Sequence, residues 1–244
     1  MGKTPQDAAA LRIAAVVPAF DAARTVRDVV ASLARAWQEA SRDGALHIIV
    51  VDDGSNDETG AQAEKAGAHV VRHAVNTGKG AALRTGLREA QRLGATAAIT
   101  VDADGQHLPG EAVRVALSPE PRESLVLGVR DLVRDGAPRP NRFSNGVSNF
   151  FLSLFTGRRL RDTQCGLRRY PLPESLALEP VDNGYAFEAE FILRAAHAGW
   201  NIAEVPIRVH YPPESERSTH FHSVKDPARI VYRVLATLAE RARP

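Results

Sequence analysis

The 244-residue chain holds a single cysteine, Cys165, which excludes an internal disulfide and suits a reducing cytosol. Charge of one sign is equally scarce. The 31 Lys and Arg stand against 29 Asp and Glu, and a formal net charge of +2 is too small to argue for a nucleic-acid partner. No apolar run approaches the roughly 20 residues that a bilayer-spanning helix needs. The opening "MGKTPQDAAALR" lacks the apolar centre of a secretory signal, so a cytoplasmic protein is expected. There is no internal repeat and no low-complexity linker, and the length suits one α/β domain.

Two familiar phosphate motifs are missing as well. No G-x-G-x-x-G follows the first apolar run, which disfavours a dinucleotide-binding fold. "NTGKGAALRTG" is glycine-rich, yet it has neither the spacing nor the Ser/Thr after lysine of the nucleotide-hydrolase loop.

What is present is alternation. "LRIAAVVPAF", "ALHIIVVDDGS", "AHVVRH" and "AAITVD" read as buried strands, and "ESLVLGVR" as another. Between them, Val26, Val29, Val30, Leu33 and Trp37 fall at helical spacing, as do Leu83, Leu87 and Ala90. Strands alternating with helices imply a mostly parallel sheet, whose ligands collect at the carboxyl ends of the strands. Beyond it, "DLVRDGAPRPNRFSN" reads as a mobile polar loop. "VSNFFLSLF" reads as a helix with Val147, Phe150, Phe151, Leu154 and Phe155 on one side, more a core face than a lipid contact. A basic amphipathic helix from about Pro227 to Arg243 closes the chain. Its outer face is either plainly solvated or set against anionic headgroups through Arg229, Arg233, Arg241 and Arg243.

Acidic clusters sit where the strands end. "VVDDGSNDE" is either a solvated turn capping the next helix through Ser55 or Asp57, or a carboxylate that accepts hydrogen bonds from a ribose or base. An EF-hand is ruled out because Glu58 stands where its loop needs glycine. In "NTGKG", a glycine-rich helix entry with Lys79 beside it suits an anion, and a plainly capped helix is the alternative. In "TVDADGQH", Asp102, Asp104 and Gln106 alternate, so in extended chain their oxygens share a side and suit Mg²⁺ or Mn²⁺ with a diphosphate; a surface turn before a helix at Pro109 is the alternative.

Taken together, "VVPAF", "VVDDGSND", "NTGKGAALRTG", "TVDADGQHLP", "DTQCGLRRY" and "FEAEFILRAAHAGWNIAEVPIRV" resemble glycosyltransferase family 2 from about Arg12 to Arg229. The nearest branch is the dolichyl- or polyprenyl-phosphate mannosyl- and glucosyltransferases. The resemblance implies a GT-A-type α/β fold with a mostly parallel central sheet, a nucleotide-sugar donor of GDP-mannose or UDP-glucose type, a divalent metal (Mg²⁺ or Mn²⁺), and inversion. It implies a donor half over about 12–128, an acceptor half over about 129–222, and the basic helix over about 223–244. Pro18, Ala19 and Phe20 would line the nucleotide pocket, Asp53 would read base or ribose, and Lys79 would serve the donor. Asp102, Asp104 and Gln106 would hold the metal against the donor diphosphate. Arg130, Arg142 and Ser144 would face the acceptor phosphate, with Asp162 and Gln164 of "DTQCG" and Glu188 on the acceptor side. Asp104, Arg130 and Arg142 are the expected catalytic groups.

The closing "ERSTHFHSVKDPARI" resembles a bacterial subgroup, and the "Q-x-x-R-W" motif of many hydroxyl-directed relatives is absent. The expected activity is hexosyl transfer to a polyprenyl phosphate or similar lipid, at the inner face of a membrane. The alternatives are transfer to a hydroxyl, with Glu188 or Glu190 as base, and a silent nucleotide-sugar binder.

Overall fold

Strands covered on both faces need apolar residues without alternation, and "IAAVVPA" and "HIIVVD" supply them. In a computed structural model, which describes residues 11–40, 46–211 and 225–241, these runs form β1 (Ile13–Ala19) and β2 (His47–Asp52). The other strands are β3 (His69–Arg72), β4 (Ala97–Thr100), β5 (Leu125–Arg130), β6 (Arg168–Pro171) and β7 (Ile202–Ile207). They make one sheet in the order β3-β2-β1-β4-β6-β5-β7. Among the described residues, β6 alone of these strands runs antiparallel, against β4 and β5. Because β1 pairs in parallel with both β2 and β4, the winding reverses there and leaves a crevice at their carboxyl ends.

The helices are α1 (Val26–Ala40), α2 (Thr59–Lys65), α3 (Lys79–Arg92), α4 (Pro109–Ala116), α5 (Arg139–Thr156), α6 (Glu174–Ala177), α7 (Phe187–His197) and α8 (Lys225–Arg241). One face of the sheet is covered by α1 and α4, with Val26, Val29, Val30, Leu33 and Trp37 buried as their spacing implies. The other face is covered by α3, α5, α7 and α8.

Three expectations fail, in whole or in part, in the second half. Residues 139–145, expected to be loop, begin α5; Pro140 sits in the first turn, where its missing N–H would have had no partner anyway. The aromatic side of α5 is core only in part: Phe155 packs against the core, and Val147 and Phe151 are half-buried. Its buried face is Ser144, Asn145, Ser148 and Leu152, while Phe143, Phe150 and Leu154 are 76, 64 and 61 % exposed. The reason is what this face must hold. Asn149 Oδ1 accepts from Thr163 N and Oγ1 at 2.9 and 2.8 Å, and Ser148 bonds Thr163 at 2.8 Å, so polar groups are needed to fasten the "DTQCG" run.

The basic face of α8 is also not as expected. Arg229 is exposed, but Arg233 turns inward and reaches Glu190 Oε1 at 2.9 Å. The side chain of Arg241, Arg243 and the segment "ERSTHFHSV" lie outside the described residues. Among the described residues, no helix is long and apolar enough to cross a membrane.

Candidate active site

A cavity of about 390 Å³ occupies the crevice at the ends of β1, β2 and β4. It brings together Pro18, Ala19, Phe20, Asp53, Lys79, Asp102, Asp104, Gln106, Arg130, Gln164 and Glu188. Arg142, Ser144 and Asp162 do not line it, and Asn141 does so in place of Arg142.

Asp53 is buried, and its oxygens serve the chain itself. Oδ1 accepts from Thr77 N and Oγ1 at 3.0 and 2.7 Å and lies 2.6 Å from His73 Nδ1, while Oδ2 accepts from Gly78 N at 2.7 Å. The carboxylate therefore fixes the loop before α3. That loop's glycines also have an unexpected use. The α3 amides of Gly80 and Ala81 donate to Asn183 O at 2.7 and 3.2 Å, so they are not open to an anion. A Cβ at Gly78 or Gly80 would collide with the carbonyls of Asn183 or Asp182. Close approach of two backbones, rather than a phosphate cradle, is why glycine stands there.

What α3 offers the cavity is the Lys79 ammonium, 2.7 Å from Asp102 Oδ1 and 3.3 Å from Glu188 Oε1. Burial would lower its pKa, but Asp102 and Glu188 more than offset that and raise it. Asp102, Asp104 and Gln106 do not lie on extended chain. After β4 the backbone turns, with Gly105 at φ +76° and Gln106 N donating to Asp104 Oδ1 at 3.0 Å. The side chains converge because the chain folds over, not because they alternate.

Burial, and then the neighbouring Asp102 charge, push the Asp104 carboxyl up to about 6. Asp102 is driven the other way: burial opposes its ionisation, yet Lys79, ahead of His107 and Arg130, holds it at about 2. Two carboxylates in repulsion, with Gln106 beside them, form a donor set of hard oxygens that fits Mg²⁺ or Mn²⁺. Among the described residues, no group of three or more His, Cys, Asp or Glu side chains is placed to hold a metal.

His107 was not singled out as a site residue in the sequence. Burial pushes it down to about 4, so it is neutral, and its Nδ1 accepts from Asp102 N at 3.3 Å. A bridge to Val209 pins this turn against the chain after β7.

On the far side, Arg130 ends β5 and holds Asp162 through two donors, while its Nη1 lies 3.4 Å from the Tyr211 hydroxyl. Asp162 and Ser144 thus act through other residues: Asp162 aims Arg130, and Ser144 Oγ accepts from Gln164 Nε2 at 2.9 Å. A Cβ on Gly166 would strike the Asp102 carboxylate, which accounts for the glycine of "DTQCG". Arg168 is wholly buried, and its guanidinium donates to the carbonyls of Thr163, Cys165 and Glu188, each at 2.8 Å. Nothing in the spacing of "RRY" marks that role. Glu190 faces away from the cavity and is no candidate base.

Residues 14–170 match the sequence profile described as glycosyl transferase family 2. The chain belongs to glycosyltransferase family 2. It is 33 % identical over 179 residues to the polyprenol monophosphomannose synthase of Mycolicibacterium smegmatis, covering 66 % of each chain. It is 30 % identical over 249 residues to the UDP-N-acetylglucosamine–dolichyl-phosphate N-acetylglucosaminyltransferase of Methanococcus voltae, covering 90 % of this chain and 93 % of that one. Among solved structures, the glucosyl-3-phosphoglycerate synthase of Mycobacterium tuberculosis, crystallised with Mn²⁺, UDP and phosphoglyceric acid, superposes with a TM-score of 0.68. The two are 22 % identical, and the match covers 94 % of this chain and 78 % of that one. This family 2 chain is thus a glycosyltransferase of the GT-A fold, as its motifs imply.

Proposed function

We propose that this glycosyltransferase moves a hexose from a nucleoside-diphosphate sugar to a polyprenyl phosphate, with inversion at the anomeric carbon, while lying peripherally on the inner face of a membrane. One juxtaposition carries the acceptor reading. Arg130 and Asn141 line the cavity, and two residues beyond Asn141 the α5 stripe Phe143, Phe150 and Leu154 is turned to the outside. An arginine in the cavity wall beside an apolar helix face suits an acceptor with a phosphate head and a lipid tail. The relatives named for polyprenol and dolichyl-phosphate substrates support the same class.

Pro18, Ala19 and Phe20 flank the nucleoside, and Asp53 acts through the loop it holds. Asp102, Asp104 and Gln106 would hold Mg²⁺ or Mn²⁺, and the UDP and Mn²⁺ of the structural neighbour support that assignment. When bound, the ion supplies Lewis-acid neutralisation of the diphosphate leaving group. Lys79 balances Asp102 and Glu188 until the donor arrives. Arg130, held in place by Asp162, turns Nη1 toward the acceptor phosphate and orients it for in-line attack. No general base is needed, because a phosphate monoester, with a second pKa of about 6, is already anionic near neutral pH.

The second reading, attack by a hydroxyl, rests on Glu188, which lines the cavity and would be its base. Labelled GDP-mannose and UDP-glucose, offered with Mg²⁺ or Mn²⁺ to a polyprenyl phosphate and to the matching free alcohol, separate the readings. Transfer to the phosphate alone is expected. Transfer to the alcohol, lost in Glu188→Gln, would replace this reading with the second. Absence of turnover, with nucleotide binding retained, would leave a silent binder.

A further inference from the structure

A fully enclosed carboxylate lies outside the cavity. Glu190 has no exposed surface, and donors from three segments converge on it. Its Oε1 accepts from Arg194 Nε at 2.8 Å and from Arg233 Nη2 of α8 at 2.9 Å. Its Oε2 accepts from Asp182 N at 2.9 Å, and Val181 N lies 3.2 Å from both oxygens. An ionised carboxylate out of water requires such partners, and removal of one leaves the others with uncompensated charge.

The loop that Glu190 grips is the one pressed onto the glycines before α3. Asn183 O accepts from Gly80 N and Ala81 N, and Asp182 O accepts from Arg84 Nη1 at 2.6 Å. There is no slack at the contact, since neither Gly78 nor Gly80 has room for even a methyl group. The same loop places the Tyr185 ring 5.8 Å beneath the Lys79 ammonium. The turn that carries Lys79 is therefore held at Gly80 and Ala81, and its ammonium is backed by Tyr185, through a segment whose own position is set by Glu190.

We infer that Glu190 and Arg233 are positioning residues for the donor site, and that α8 is through them a working part of that site rather than only a surface helix. The relay runs from Arg233 to Glu190, to the amides of Val181 and Asp182, to the Asn183 carbonyl, and so to the first turn of α3 and Lys79. Its consequence is specific to the donor. Loss of Arg233 should loosen the hold on the nucleoside diphosphate, while the acceptor side, aimed by Asp162 and Arg130, is untouched. The inference rests on the donor site proposed above.

The test uses the full chain and calorimetric binding of UDP and of GDP in Mn²⁺, alongside steady-state kinetics. Arg233→Ala should weaken nucleotide binding roughly 10-fold, as loss of a supporting residue behind a ligand commonly does. It should raise the donor KM with a smaller change in kcat and none in the acceptor KM. Arg233→Lys, which keeps the charge but not the planar donor geometry, should fall between, and it carries the test if Arg233→Ala does not fold. The effect must also pass through Lys79. In a Lys79→Ala background, Arg233→Ala should cost much less than in the wild type, the non-additivity expected of one network.

If the wild type binds nucleotide and Arg233→Ala and Arg233→Lys bind it equally well, with only a lower Tm, then α8 merely packs and the relay is overturned. Equal losses with and without Lys79 would overturn the route through Lys79. A wild type that binds neither nucleotide would instead remove the donor-site reading on which the relay stands.

Discussion

Arg130 meets Asp162 at two points, Nε to Oδ2 at 2.7 Å and Nη2 to Oδ1 at 3.0 Å, and its backbone N–H adds a third bond to Oδ2 at 3.0 Å. Asp162 has no exposed side-chain surface, so the guanidinium can be neither turned nor withdrawn without leaving a buried charge unpaired. Asp162→Ala is expected to destabilise the fold by about 3–5 kcal/mol, seen as a lower denaturant midpoint. In whatever fraction folds, the acceptor KM should rise more than the donor KM. Arg130→Lys cannot reproduce a two-point contact and should behave as a loss, not as a conservative change.

Asp104 stands in the opposite relation to stability. Its carboxyl is raised by burial and by Asp102, so at neutral pH its ionised form works against folding. Asp104→Asn should therefore stabilise the metal-free protein by roughly 1–2 kcal/mol, a figure discounted because the group is partly open to water. The same variant should lose Mn²⁺-dependent binding of UDP or GDP. A thermal scan and a titration on one preparation would show the two effects moving apart.

The same carboxyl sets a pH dependence. Above pH 6 Asp104 is ionised and free to take a cation; below it, a cation must displace a proton. Mn²⁺-supported nucleotide binding should be flat from about pH 7 upward and fall by up to tenfold per unit below pH 6. Nucleotide titrations across that range are the measurement. An inflection that persists unchanged in Asp104→Asn would assign it to another group.

The α5 stripe makes a separate prediction. Phe150→Glu and Leu154→Glu remove exposed apolar surface and should not disturb the fold. Each should lower co-sedimentation with vesicles containing anionic lipid, and turnover of a polyprenyl phosphate in such vesicles, while binding of UDP or GDP stays unchanged. Added salt should weaken the attachment further if Arg229 contributes, since exposed charges are screened over about 8–10 Å. Equal binding by wild type and variants would show that the stripe meets something other than the bilayer.

Gly86 of α3 lies against Val16 of β1, and a Cβ there would overlap the valine Cγ1. Alanine would gain up to about 1 kcal/mol of helix propensity, but overpacking costs about 1–3 kcal/mol. The packing cost should win. Gly86→Ala is expected to lower the Tm, by an amount that Val16→Ala in the same chain partly restores.

Much of this was legible in the chain alone. Unbroken apolar runs fix β1, β2 and β4, because residues such as Ile49 and Val50 can only be buried on both faces. The 3.6-residue period likewise places Val26, Val30, Leu33 and Trp37 of α1 against the sheet. The acidic residues after those strands then had to gather at one crevice, since parallel strands end together. Local sequence thus determined β1 to β5, the parallel character of the first half and the chemical types at the site, but not β6 or β7. It could not determine which polar group a side chain would meet across the sheet. The α5 aromatics look like core by their spacing, yet Ser144 and Ser148 took the inner face, where "DTQCG" offers them partners. Asp53 and the glycines of "NTGKG" suit a ligand by composition, yet they hold one another and the 182–183 loop. Arg233 sits on a helix whose basic face reads as solvated or lipid-facing, and it turns inward because Glu190, 43 positions away, needed a cation. Periodicity reports how much of a residue is covered, while pairing of buried charge depends on distances that exist only once the chain is folded.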